Sequence, residues 1–218
     1  MYEIPKDWNI RTYVCAESFD ILKSKTKLEP LITVPDSRFA QLSDTVTPQG
    51  IMAVCEKRTF TINHIEKTFI LIGERLSDPG NIGTLIRTAA AAGAGGVILS
   101  EGSGEIYNPK VIRAAAGASL RIPIVEEANL NEVIPILKKR GITIAAAHLQ
   151  KAVLPYELDL RRGCAILIGS EAHGLSEEVT ALADIRVKLP MAPGVESLNA
   201  SVAGGILLYE VVRQSLIE

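Results

Sequence analysis

The sequence predicts an α/β protein, a mostly parallel six-stranded sheet with helices on both faces, preceded by a small α/β domain. Three observations predict it. From about Lys67 onward, apolar runs rich in Ile, Val and Leu recur six times, near 69–72, 96–99, 121–125, 142–146, 165–168 and 185–189. Helical patterns fill the intervals, near 84–92, 109–116, 130–140, 176–183 and 199–214. The runs are continuously apolar rather than alternating, as strands covered on both faces are. In such sheets ligands bind beyond the carboxyl ends of the strands.

Residues 1–67 read differently. Strands are expected near 11–15, 31–34 and 50–55, and a helix near 36–42. The polar and charged run 57–67 reads as a linker, which sets the boundary between a short first domain and a second domain of 68–218. A segment this short leans on a larger neighbour for stability.

Composition narrows the function classes. The chain has 218 residues, 47% of them hydrophobic, and a net charge of -2. That balance argues against a broad nucleic-acid footprint and leaves room for a local basic patch. Aromatics make up 5%, too few for an aromatic stacking platform. Cys15, Cys55 and Cys164 stand far apart with no CxxC pair, which predicts neither disulfides nor a metal site. There is no signal peptide and no run long enough to span a bilayer, so a cytoplasmic protein without a membrane partner is expected.

Three polar, small-residue segments follow strands. The first runs from Leu76 to Arg87. Asp78-Pro79-Gly80-Asn81 signals a turn and Gly83 permits close backbone approach. Arg87, set among Ala and Ile, needs an anionic partner. A structural pairing with Asp78 or Glu74 and a functional contact with phosphate explain it equally. The second segment is Ile168 to Ser176, in which Gly169 and Gly174 bracket Glu171 and Ser176 starts a helix. The third holds Pro190, Pro193 and Gly194 and ends at Ser197-Leu198-Asn199. A helix rich in small residues follows at once, with Ser and Asn at the preferred capping position. Taken alone, this segment is better accounted for by an ordinary capped helix than by a ligand site. Ala200, Ala203 and Gly204 suit close packing on a partner chain or on the chain's own sheet.

Taken together, Asn81-Ile82-Gly83-Thr84-Leu85-Ile86-Arg87, Gly169-Ser170-Glu171-Ala172-His173-Gly174, and Leu189-Pro190-Met191 with Ser197-Leu198-Asn199-Ala200-Ser201 resemble, in order and strand-end context, the three motifs of the SpoU (TrmH-type) RNA 2′-O-ribose methyltransferases of the SPOUT superfamily. The resemblance covers about 68–218. It implies a C-terminal trefoil knot, an exception to the usual topology rules that no pattern above predicts. It also implies S-adenosyl-L-methionine as cofactor, held by Ala147, Gly169, Gly174, Leu189, Met191 and Leu198, with Gly169 leaving room for the adenine. Arg87, Asn81, Glu171, Ser197 and Asn199 are the implied catalytic group. The implied reaction moves a methyl group from a sulfonium, without a metal, to a ribose 2′-hydroxyl of RNA, ribosomal RNA ahead of transfer RNA. The implied assembly is a homodimer.

An arginine holds its proton above about pH 12, so a phosphate- and alkoxide-stabilising role for Arg87 is chemically easier than a role as base. The stretch Ser43 to Ile51 resembles the end of the RNA-binding N-terminal domain of many members. The usual first helical segment of that domain is missing before Met1, so the domain is expected to be truncated. A non-catalytic RNA-binding protein of the same fold is the alternative, against which the presence of Asn81, Arg87, Glu171 and Asn199 counts. A nucleotide-binding oxidoreductase lacks support because no early GxGxxG is present. His148 falls near the implied pocket, whereas His64 and His173 have no Cys at metal spacing. Arg113 reads equally as a phosphate contact and as a solvated helix charge. Ser197 has no GxSxG elbow around it.

Overall fold

The central strands of the larger sheet are buried on both faces, which is why their sequence runs are continuously apolar. In β4 (Ile70–Glu74), Ile70 and Ile72 face one layer of helices and Leu71 the other. In β8 (Cys164–Gly169), Ala165 and Leu167 oppose Ile166 and Ile168 in the same way. The computed structural model describes residues 4–216 apart from residue 6 and residues 22–26. It divides into two units, residues 1–58 and residues 59–218.

In the first unit, β1 (Ile10–Ala16) lies between β2 (Leu31–Val34), to which it is parallel, and β3 (Ile51–Cys55), to which it is antiparallel. Helix α1 (Asp36–Leu42) buries Phe39 against Val14 and Ala16.

The second unit is a six-stranded sheet in which every pairing is parallel. Its remaining strands are β5 (Gly96–Ser100), β6 (Ile124–Ala128), β7 (Thr143–Ala147) and β9 (Ile185–Val187), and the spatial order is β6-β5-β4-β8-β7-β9. Helices α2 (Pro79–Ala91), α3 (Pro109–Ala115) and α6 (Ala200–Leu216) cover one face. Helices α4 (Leu130–Lys139) and α5 (Glu177–Leu182) cover the other. Among the described residues no helix is long and apolar enough to cross a membrane. Cys164 is buried, and burial pushes its thiol up to about 12, so it packs rather than reacts.

The structure corrects four boundaries. The stretch 59–67 is not a linker, because Ile65 is buried with Phe60 and Ile62 packed beside it in the core of the larger unit. Helix α2 begins at Pro79, five residues before the expected 84. Asp78 accepts the Asn81 N–H at 2.8 Å as N-cap and Pro79 takes the first helical position, so the apparent turn signal is a helix start. The strand expected over 121–125 begins only at Ile124, because Ala118–Leu120 form a 3-10 turn that Arg121 and Ile122 close onto the Ala118 carbonyl. Strand β9 stops at Val187, since the Lys188 N–H turns to the Val153 carbonyl at 3.0 Å.

Gly83 lies where α2 crosses α3. A Cβ there would fall 2.5 Å from the Ala114 Cβ and 2.6 Å from the Val111 carbonyl oxygen. In a free helix Gly→Ala is stabilising by about 1 kcal/mol. Here overpacking reverses the sign, and Gly83→Ala is expected to destabilise by about 1–3 kcal/mol in denaturant unfolding. A neutral or stabilised variant would refute this packing.

Candidate active site at the carboxyl edge of the sheet

The three motif segments leave the carboxyl ends of β4, β8 and β9 and meet at one edge of the sheet. Asn81, in the first turn of α2, is their common partner. Its Nδ2 donates to Glu171 Oε1, and its Oδ1 accepts from Asn199 Nδ2 at 3.0 Å. Asn199 in turn caps α6. Its Oδ1 accepts from the Ser201 N–H at 2.9 Å, the Ser201 hydroxyl at 2.7 Å and the Val202 N–H at 3.2 Å. Each amide oxygen and nitrogen thus has a consistent partner, and helix capping fixes the end of the chain.

The loop after β8 folds back on itself. The Gly174 N–H donates to the Ser170 carbonyl at 2.8 Å, with Gly174 at φ 65°. A Cβ on Gly169 would lie 2.2 Å from the Gly174 carbonyl carbon. Gly169 therefore makes room for the chain's own loop and also lines the cavity at this edge. A second tie runs beneath. The buried Glu74, at the end of β4, accepts the Ser176 N–H at 2.8 Å and pairs with Arg75 at 3.1 Å. The sequence reading missed this role for Glu74. A carboxylate ending an apolar strand was its only signal.

These loops enclose a cavity of about 410 Å³. All six implied cofactor residues line it, namely Ala147, Gly169, Gly174, Leu189, Met191 and Leu198, and so do Glu171, Ser197 and Asn199. Ile168, Val187 and Leu207 add apolar wall, and His148, Ser170 and Lys188 add polar groups. The His148 Nδ1 accepts the Gln150 N–H at 3.1 Å, so that nitrogen is held by its own loop. A mostly apolar cavity of this volume with a few convergent polar groups suits a single small ligand.

Asn81 is outside the lining but bonded to two residues within it. Arg87 is not brought to the cavity. It stands exposed on α2, about 9 Å further along the helix axis than Asn81. Pairing with Asp78 or Glu74 does not occur, since Asp78 caps α2 and Glu74 binds Ser176 and Arg75. Among the described residues the Arg87 guanidinium has no hydrogen bond or ion pair. The small residues of α6 face inward. Ala200 is buried, and Gly204 lies where a Cβ would meet Leu85 Cδ2 at 2.5 Å and Ile168 Cγ1 at 3.4 Å. Gly204 thus packs on the chain's own α2 and β8, whereas Ala203 is half-buried and lines the cavity.

Residues 68–209 match the SpoU rRNA Methylase family. An uncharacterized tRNA/rRNA methyltransferase of Synechocystis is 38% identical over 80% of this chain, which spans 64% of that relative's length. The 23S rRNA guanosine-2′-O-methyltransferase RlmP of Bacillus subtilis is 33% identical over 81% of this chain and 70% of its own. The SpoU methyltransferase AviRb of Streptomyces viridochromogenes, solved with its cofactor AdoMet, superposes with a TM-score of 0.87 at 27% identity, covering 97% of this chain and 85% of AviRb. On its motifs, its fold and these likenesses, the chain belongs to the SpoU rRNA methylase family.

Proposed function

We propose that the protein is an S-adenosyl-L-methionine-dependent RNA methyltransferase that modifies a ribose 2′-hydroxyl, with ribosomal RNA as substrate. The observation that carries this reading is that the second and third motif segments line one cavity and the first is bonded to both through Asn81, Glu171 and Asn199. The volume and lining fit the cofactor. Leu189, Met191 and Leu198 offer apolar contact to its adenine, and the polar end of the cavity at Ser170, Glu171 and Ser197 faces its charged end. When bound, the cofactor supplies an electrophilic methyl group on sulfur. The protein's task is to place and activate the hydroxyl. Arg87, with no hydrogen bond or ion pair among the described residues, holds a phosphate of the RNA while the target ribose lies at the cavity. Asn81, Ser197 and Asn199 orient the ribose at the cavity mouth. A ribosomal substrate is supported by the likeness to RlmP, a 23S rRNA methyltransferase.

The knot belongs to the same proposal. Gln214 of α6 supports it. This side chain accepts the Leu160 N–H at 2.9 Å and donates to the Pro155 carbonyl at 3.2 Å, both in the connection between β7 and β8. A homodimer is supported by an exposed stripe on α6, Val202, Ile206 and Tyr209, 46–49% exposed and spaced to share one helix face.

Two outcomes are expected. Arg87→Ala keeps S-adenosylmethionine affinity within about twofold in calorimetry and lowers kcat/KM on unmodified ribosomal RNA by about 100-fold or more. Full turnover by that variant would overturn the assignment. Tyr209→Glu sediments as a monomer where the parent sediments as a dimer, and an unchanged mass would remove α6 from the interface.

A further inference from the structure

A second depression, of about 610 Å³, lies at the opposite, amino edge of the larger sheet. Its walls are the segment before β4, the end of α2 with the turn into β5, and the turn before β6. Lys67, Arg87 and Arg121 line it with His64, and Glu66 is its one carboxylate. With His64 neutral, the lining carries a net +2 in a chain whose total is -2. The cations are also without carboxylate partners among the described residues. Among the described residues the guanidiniums of Arg87 and Arg121 have no hydrogen bond or ion pair. The Lys67 ammonium reaches only the Gly93 carbonyl, at 3.4 Å. By contrast Arg11, Arg58, Arg161 and Arg213 are each bonded to a carboxylate.

The site is shaped as well as charged. A Cβ on Gly95 would fall 2.5 Å from the Lys67 Cβ, so the missing side chain lets the lysine stem lie against the turn. The His64 Nδ1 accepts the Thr61 N–H at 2.9 Å, which leaves its Nε2 to donate. Two guanidinium forks, an ammonium and an imidazole N–H form a donor set without acceptors, suited to phosphate oxygens. Helix α2 joins the two edges, with Asn81 at the carboxyl-edge end and Arg87 and Ala91 at the depression.

We propose that this depression is a phosphodiester-binding site, in which Lys67, Arg87 and Arg121 hold backbone phosphates of the RNA while the target ribose reaches the carboxyl edge along α2. The proposal rests on the RNA reading above. It also accounts for a chain of negative net charge binding a polyanion, since the contact is confined to one lined depression.

The test uses Lys67→Ala, Arg121→Ala, the double variant and Arg121→Lys in the full chain, with in-vitro-transcribed 23S ribosomal RNA as probe. RNA binding is followed by anisotropy across salt concentrations, and cofactor binding by calorimetry. Each alanine variant is expected to bind RNA about tenfold more weakly and to lower the salt slope by about 0.7–0.9 per charge removed. Arg121→Lys restores the slope and only part of the affinity, and cofactor affinity is unchanged throughout. Both side chains are exposed, so normal thermal unfolding is expected and is checked first. A double variant with the parental slope and affinity overturns the site, whether or not the parent transfers methyl groups. So does saturation by inorganic phosphate alone with RNA binding untouched by the substitutions. Loss of slope in the variants, combined with a parent that transfers no methyl group to RNA, upholds the site and rejects the activity.

Discussion

Asn81 is the residue on which the carboxyl edge of the sheet depends. Its side chain meets Glu171, 90 residues later, and Asn199, 118 residues later, and so joins all three motif segments through one amide. Its own backbone is fixed from below, because Asp78 takes its N–H and begins α2. Asn199 passes the constraint on by capping α6. A residue with one donor and one acceptor end is required here. An aspartate would set a second carboxylate against Glu171, and an apolar residue would leave two polar partners unmatched.

Backbone proximity supports that network. The loop after β8 closes over Gly169 because no Cβ is present, and α6 settles on α2 and β8 because Gly204 is small. Both contacts bring main chain or short side chains within reach of hydrogen bonding, and both cost freedom that the buried Glu74 and the helix caps help to offset. The cavity is thus preorganised by glycine placement and capping on rigid elements, which is how a site on loops attains defined geometry.

Much of this was legible in the sequence, for identifiable reasons. The strands 96–99 and 165–168 could be read because both-face burial demands unbroken apolar runs. That six residues from separate segments line one cavity could be anticipated from ordered motifs rather than from any single residue. What escaped depends on contacts between distant segments. Asp78-Pro79 has the same local chemistry in a turn and at a helix start. Gly169 reads as space for a ligand, and only the fold shows that Gly174 also lies against it. Residues 59–67 are polar enough for a linker, and only the burial of Ile65 assigns them to the larger unit. Arg87 shares a motif with Asn81, yet helical geometry turns it toward another depression.

The account stands on cooperation between Asn81 and Glu171, and a double-mutant cycle on S-adenosylmethionine affinity measures it directly. Asn81→Ala and Glu171→Ala are each expected to weaken cofactor binding, and the double variant to bind about as weakly as either single one. That result corresponds to a coupling of about 0.5–3 kcal/mol. Strictly additive losses, with no coupling, would contradict the claim that the three segments are held as one site.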